Sequence, residues 1–178
     1  MKISAFVATS VDGFIARPDG SLDWLAHAGG GDYGYQAFFD STDALVIGRH
    51  TYEQAARMEP WPYGFKRVLV LSSGFVQIPD NLVRFVESTQ QAPHVLVSSL
   101  AQAGVAHLYV DGGQTIQSFV RAGLLNELTI NRLPILLGQG VPLFGPLAGD
   151  LALTVNDSQV LDNGVVQTRY QFGAGAFA

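Results

Sequence analysis

Three short segments of this sequence carry residue types suited to holding an anion. Gly48-Arg49-His50-Thr51 follows the apolar run Ala44–Ile47. A strand that ends in glycine and opens a helix aims backbone N–H groups at whatever lies beyond it. Arg49 would add a fixed charge with a planar fork suited to phosphate. Thr51 offers a hydroxyl for a phosphate oxygen or for the helix start. Asp111-Gly112-Gly113-Gln114-Thr115 follows a second apolar run, Ala106–Val110. Its paired glycines either let backbone approach a diphosphate or simply turn the chain. Ser10-Val11-Asp12-Gly13-Phe14-Ile15-Ala16 leaves a third run, Ile3–Thr9, and there Asp12 suits a turn whose amides its own carboxylate accepts. The Asp111–Thr115 segment is not a G-x-G-x-x-G fingerprint, and the P-loop lysine motif is absent.

Other chemistries have no support in the sequence. There is no cysteine, which removes disulfides, thiolate metal sites and thiol nucleophiles together. The four histidines, His27, His50, His94 and His107, show no ligand spacing, so no metal is expected. No G-x-S-x-G elbow exists for a hydrolase.

These segments need elements to hold them. The chain has 178 residues, 48% hydrophobic and only 14% charged, which suits one well-buried domain over residues 1–172 with a small Gly-rich tail at 173–178. Net charge is −5 and no basic stripe exists, so nucleic acid is not an expected partner. No apolar run approaches the ~20 residues that span a bilayer. The N-terminus becomes polar too soon for a signal peptide. A cytoplasmic protein with a small-molecule ligand is therefore expected, with no membrane partner.

Further strands are predicted at Arg67–Ser72, Val83–Glu87, Glu127–Leu133, Leu151–Leu161 and Val165–Phe172. Helices are predicted at Asp32–Asp40, Thr51–Arg57, Pro93–Ala103 and Gln114–Ala122; His94–Val97 also reads as strand. Asn163-Gly164 marks a hairpin between the last two strands. Strand–helix alternation followed by a hairpin implies an α/β fold with a mostly parallel sheet. Ligands of such sheets bind beyond the C-terminal strand ends, where the three segments lie.

Taken in order, S-V-D-G-F-I-A (10–16), P-D-G-S-L-D-W-L (18–25), D-A-L-V-I-G-R-H-T-Y-E (43–53), V-L-V-L-S-S (68–73) and Y-V-D-G-G-Q-T (109–115) carry a resemblance. The chain resembles the dihydrofolate reductase-like superfamily, and within it bacterial proteins related to the C-terminal reductase domain of riboflavin biosynthesis. The resemblance implies a three-layer α/β/α fold, NADPH as cofactor and hydride transfer to a small planar heterocycle. It places Gly48, Arg49, His50 and Thr51 at the cofactor phosphates and Leu71, Ser72 and Ser73 beside the adenosine 2′-phosphate. Gly112, Gly113, Gln114 and Thr115 fall at the diphosphate and nicotinamide ribose, and Ala8, Ile15 and Ala16 beside the nicotinamide.

The same resemblance offers a catalytic candidate. Dihydrofolate reductases carry a carboxylate on the first helix, and Asp32 stands at the matching offset from Gly48. Asp32 would hydrogen-bond the substrate ring and assist its protonation; as a residue type favoured before helices, it would otherwise cap one. Tyr33, Tyr35, Phe38 and Phe39 would line a pocket or fill the core. Riboflavin-pathway reductases usually continue from the second-strand glycine toward Asp-Asn-Pro; this chain has Glu59-Pro60-Trp61-Pro62 instead, and Phe14 where lysine is usual. It thus offers little charge to a ribose phosphate. The expected function is an NADPH-dependent pyrimidine-reductase-like enzyme. Dihydrofolate or pterin reduction, or non-catalytic NADPH binding, are the alternatives. A homodimer is expected, because the charge-poor last strands need cover.

Overall fold

A computed structural model describes residues 1–173. The expected tail therefore lies, apart from Gly173, outside the described residues. Ten strands and four α-helices follow in the order β1 (Lys2–Thr9), β2 (Phe14–Ala16), α1 (Tyr35–Asp40), β3 (Ala44–Gly48), α2 (Arg49–Ala55), β4 (Arg67–Leu71), β5 (Val86–Thr89), α3 (Pro93–Gln102), β6 (His107–Asp111), α4 (Gly113–Arg121), β7 (Glu127–Arg132), β8 (Val141–Pro142), β9 (Leu153–Val160) and β10 (Val166–Phe172). A 3-10 helix, Asp23–Ala28, precedes α1.

Eight strands form one sheet in the order β5-β4-β3-β6-β1-β7-β10-β9. The first six are mutually parallel; β10 runs antiparallel to β7 and to β9. This is the mostly parallel sheet with a closing hairpin that the strand–helix alternation implied. From β1 the chain moves one way to β3, β4 and β5, then turns back to β6 and β7. Right-handed crossovers put connections running in opposite directions on opposite faces. Accordingly Tyr52 and Ala55 of α2 pack with Leu45, Ile47 and Val68, flanked by Tyr35, Phe38 and Phe39 of α1. Leu96 and Leu100 of α3 and Ile116, Phe119 and Val120 of α4 pack on the other face with Ile3, Leu108 and Leu128. The direction reverses around β6, which lies between β3 and β1, so the crevice favoured for ligands opens there.

Three features differ from expectation, and the expected helix at Pro93–Ala103 is borne out over its open segment. The strand placed at Val83–Glu87 begins only at Val86, because Leu82 N–H donates to the Pro79 carbonyl and Phe85 N–H to the Leu82 carbonyl, keeping residues 79–85 in turns. The segment His94–Val97 is helical, with Pro93 opening α3. The 3-10 helix and the two-stranded sheet of β2 and β8 have no counterpart in the sequence reading. Trp24 anchors the former, fully buried against Leu133 and Val165.

Among the described residues no helix is long and apolar enough to cross a membrane, and no cluster of His, Asp and Glu could hold a metal ion.

Candidate functional site

The fold brings the ends of β3 and β6 into contact through their glycines. A Cβ on Gly48 would lie 2.9 Å from the Thr115 Oγ1. One on Gly112 would lie 2.5 Å from the Thr51 Oγ1 and 3.7 Å from the Gly48 nitrogen. Gly112 also has φ of 91°, a left-handed conformation that side chains resist. These glycines are thus required first by each other: without side chains, the two turns nest. Nesting sets the first-turn N–H groups of α4, which have no intrahelical acceptor, beside Thr51. The partial positive charge of that helix start favours an anion there.

Arg49 reaches the same edge. A Cβ on Gly74 would lie 3.8 Å from its Nη1, so the guanidinium sits beside the loop after β4 that contains Ser72 and Ser73. It is not idle: its Nε donates to Glu53 at 2.7 Å, which holds the Glu53 carboxyl below its usual range. The Ser72 hydroxyl donates to the Gly74 carbonyl at 3.0 Å, and Ser73 is exposed. Leu71 packs into the α3/α4-side core. His50 points to solvent, and Gln114 is exposed.

A flap covers the start of α4. Ile15 and Ala16 lie in β2, paired with β8. A Cβ on Gly113 would meet the Ile15 Cδ1 at 2.8 Å and the Pro142 carbonyl oxygen at 3.4 Å. Ala8, near the end of β1, packs beside Trp24 and Leu133. Cofactor candidates from four separate segments therefore converge on the β3/β6 edge. The cradle fits a dinucleotide phosphate: main-chain donors, one cation and two threonine hydroxyls, with Glu53 and Asp111 both half-buried.

The sequence reading passed over the most unusual acid, Asp111, at the end of β6. Its Oδ1 accepts the Gly112 N–H at 2.7 Å, and its Oδ2 accepts the Tyr63 hydroxyl at 3.3 Å. Burial, the largest influence, raises its pKa above the usual carboxylate range, against these hydrogen bonds; no cation contributes. The tyrosines around it feel the same environment. Burial and then the Asp111 charge push up Tyr35, Tyr63 and Tyr109. Tyr35 meets Tyr109 edge-on with ring centroids 6.3 Å apart, Phe6 stacks on Phe38 at 5.1 Å, and Trp61 meets Tyr63 edge-on at 5.2 Å. This aromatic wall lies on the α1/α2 face, directly beneath the glycine turns. The Trp61 Nε1, buried there, has no hydrogen-bond partner.

Asp32 lies elsewhere in character. The helix it was expected to open starts at Tyr35, because Gly34 takes φ of 84° as the residue before it. Exposed Asp32 accepts the Gly34 N–H at 3.1 Å and the Gln36 N–H at 2.9 Å, so both oxygens serve the helix start. Asp32→Ala is expected to cost about 1 kcal/mol of stability, and Asp32→Asn less, since asparagine keeps one of the two accepting oxygens. Thermal melts of the two variants check this; equal losses in both would contradict it.

A cavity of about 220 Å³ lies apart from this chemistry, beside β7 and β10, where Thr9, Arg132, Phe144 and Thr168 line it. It contains no acid and neither glycine turn.

Comparison with known proteins gives the same frame. A family model described as the RibD C-terminal domain matches residues 1–167. The uncharacterised protein YwjB of Bacillus subtilis is 31% identical over 161 residues, covering 89% of this chain and 91% of that one. The riboflavin biosynthesis protein RibD of Corynebacterium ammoniagenes is 28% identical over 166 residues, or 82% of this chain, which spans only 48% of that protein. Among solved structures, a candidate riboflavin biosynthesis protein from Shewanella sp. PV-4 superposes with a TM-score of 0.90 at 38% identity, covering 97% and 99% of the two chains. A pyrimidine reductase-like protein from Corynebacterium diphtheriae shares the fold, with a TM-score of 0.72 at 16% identity over 97% and 92%.

Proposed function

The chain belongs to the family of RibD C-terminal domains, and from that premise we propose that it is an NADPH-dependent reductase of a small, planar, uncharged heterocycle. One observation carries the reading: two nested glycine turns, suited to a diphosphate, stand directly above a protonatable acid in an aromatic wall.

The fit assigns roles to this chain's residues. The first turn of α4, Thr51 and Thr115 would hold the diphosphate; Arg49, with Ser72 and Ser73, would take the 2′-phosphate. Ala8, Ile15 and Ala16 would flank the nicotinamide and keep water from it. The hydride is the bound cofactor's own chemistry. The aromatic wall of Phe6, Tyr35 and Tyr63 would receive a flat ring and orient it. Asp111, its pKa raised by burial, would hold the proton that balances the hydride and deliver it from Oδ2. Phe14 stands where riboflavin-pathway reductases usually have lysine, so little charge awaits a ribose phosphate, which favours an uncharged substrate.

Arg49→Ala is expected to weaken NADPH binding by about 1–2 kcal/mol, a charge-assisted hydrogen bond discounted for its present Glu53 partner. Titration calorimetry reads it, and an unchanged affinity would remove Arg49 from the site. The enzymatic claim is tested by following NADPH oxidation with a panel of pterins, pyrimidines and flavins. Binding without oxidation across the panel would leave a cofactor-binding module.

We also infer a homodimer. Strand β9 is exposed along nearly its whole length at the sheet edge, and Val155 and Val160 are 55% and 73% exposed. A second copy packed by a twofold axis would cover this end of the sheet. Light scattering should give twice the chain mass of 19.1 kDa; the single mass at micromolar concentration would refute it.

A further inference from the structure

Residues 10–16 and 133–143 are far apart in sequence, yet they are joined along their length. Val11 N–H donates to the Ile135 carbonyl at 2.8 Å, and Leu143 N–H to the Gly13 carbonyl at 3.0 Å. Phe14 and Ala16 pair with Pro142 and Val141. Gly140 nests against Phe14 and the Ala16 carbonyl, where a Cβ has no room. The joined pair rests on α4: Ile15 and Pro142 meet Gly113, and the Gln117 Nε2 donates to the Pro142 and Leu143 carbonyls at 3.3 and 3.2 Å.

Strands of three and two residues cannot hold such a flap by themselves. A side chain supplies the missing tie. The Asp12 carboxylate accepts the Leu137 N–H through Oδ1 at 3.2 Å and the Gly138 N–H through Oδ2 at 2.7 Å. Two consecutive amides on the two oxygens of one carboxylate make a charge-assisted, bidentate contact that fixes orientation as well as distance. The contact is exposed to water, so it can open and reclose without disturbing the core. Its hydrogen bonds, that from Ser10 first, hold the Asp12 carboxyl below its usual range and so keep it ionised.

We propose that Asp12 is a positioning residue: it latches residues 10–16 to the Leu137-Gly138 turn, holds Ile15 over the Gly112-Gly113 turn, and thereby sets how fast the dinucleotide leaves. This rests on the cofactor reading above. It assigns Asp12 no contact with substrate or cofactor. Its effect falls on release, a step that often limits turnover in enzymes with mobile covers.

Two measurements on Asp12→Ala and Asp12→Asn test it. The first is hydrogen exchange at the amides of Ala16 and Val141, which Asp12 does not touch. The second is the rate of NADPH dissociation by stopped flow. Asp12→Ala should speed both by about tenfold, the scale of one net hydrogen bond to a charged group. Exchange in β3 and β6 and the association rate should stay unchanged. Asp12→Asn, which keeps one carbonyl acceptor, should fall between. An unchanged dissociation rate in Asp12→Ala would overturn the proposal, even with faster exchange. If the wild-type chain holds no NADPH, the cofactor reading has failed instead. Exchange then decides the latch alone: acceleration at Ala16 and Val141 supports it, and unchanged exchange overturns it.

Discussion

Asp111→Asn is expected to lower turnover by about 10²–10⁴-fold, the usual reach of acid–base assistance, while NADPH affinity changes little. Asparagine keeps the shape and can still accept the Gly112 N–H, so the glycine turn should survive. What disappears is the transferable proton. The pH dependence gives a second signature. Burial raises this pKa, so the folded chain binds the proton more tightly than the unfolded one. The stability it confers is complete below the ordinary carboxylate pKa and is lost as pH rises through the raised folded value. Wild-type turnover should fall through that same value, because the protonated form is the donor. Asp111→Asn should show neither dependence. Stopped-flow turnover and melting across pH check both. Full activity in Asp111→Asn with an identified substrate would return the proton to solvent or to another group.

Gly113→Val is expected to abolish NADPH binding while the protein still unfolds cooperatively. The Cβ alone would approach the Ile15 Cδ1 to 2.8 Å and the Pro142 carbonyl oxygen to 3.4 Å, and valine adds two methyl groups beyond it. The flap must lift, and the start of α4 loses its cover. Overpacking of this kind commonly costs about 1–3 kcal/mol, which a domain of this size can survive. Gly113→Ala, where only Ile15 has to give, should weaken binding without removing it. Calorimetry and thermal melts on both variants decide the matter. Tight binding by folded Gly113→Val would show that the flap does not bear on the cofactor.

The sequence was a good guide to whatever depends on local pattern. Apolar runs ending in Gly48 and in Asp111-Gly112-Gly113 marked two strand ends, and chain order placed both turns at one edge of a parallel sheet. It was a poor guide to whatever depends on distant pairing. Asp111 reads as a turn residue until Tyr63, 48 positions away, is seen to donate to it. The flap is built from strands too short to show periodicity, and its Asp12 tie reaches 126 positions to Gly138. The start of α1 shifts for a local reason instead. The left-handed Gly34 delays the helix to Tyr35, and Asp32 serves its start, the capping role that was one of its two expected readings. Trp24 gives no sign of its complete burial, because its partners Leu133 and Val165 lie more than a hundred positions away.

Whether the nested glycine turns hold a phosphorylated dinucleotide is decided by titrating the wild-type protein with NADPH and, separately, with NADH in a calorimeter. Saturable NADPH binding at one site per chain is expected, with NADH weaker by about tenfold or more for want of a 2′-phosphate to meet Arg49 and the serine loop. No binding of NADPH, or equal binding of the two, would contradict it.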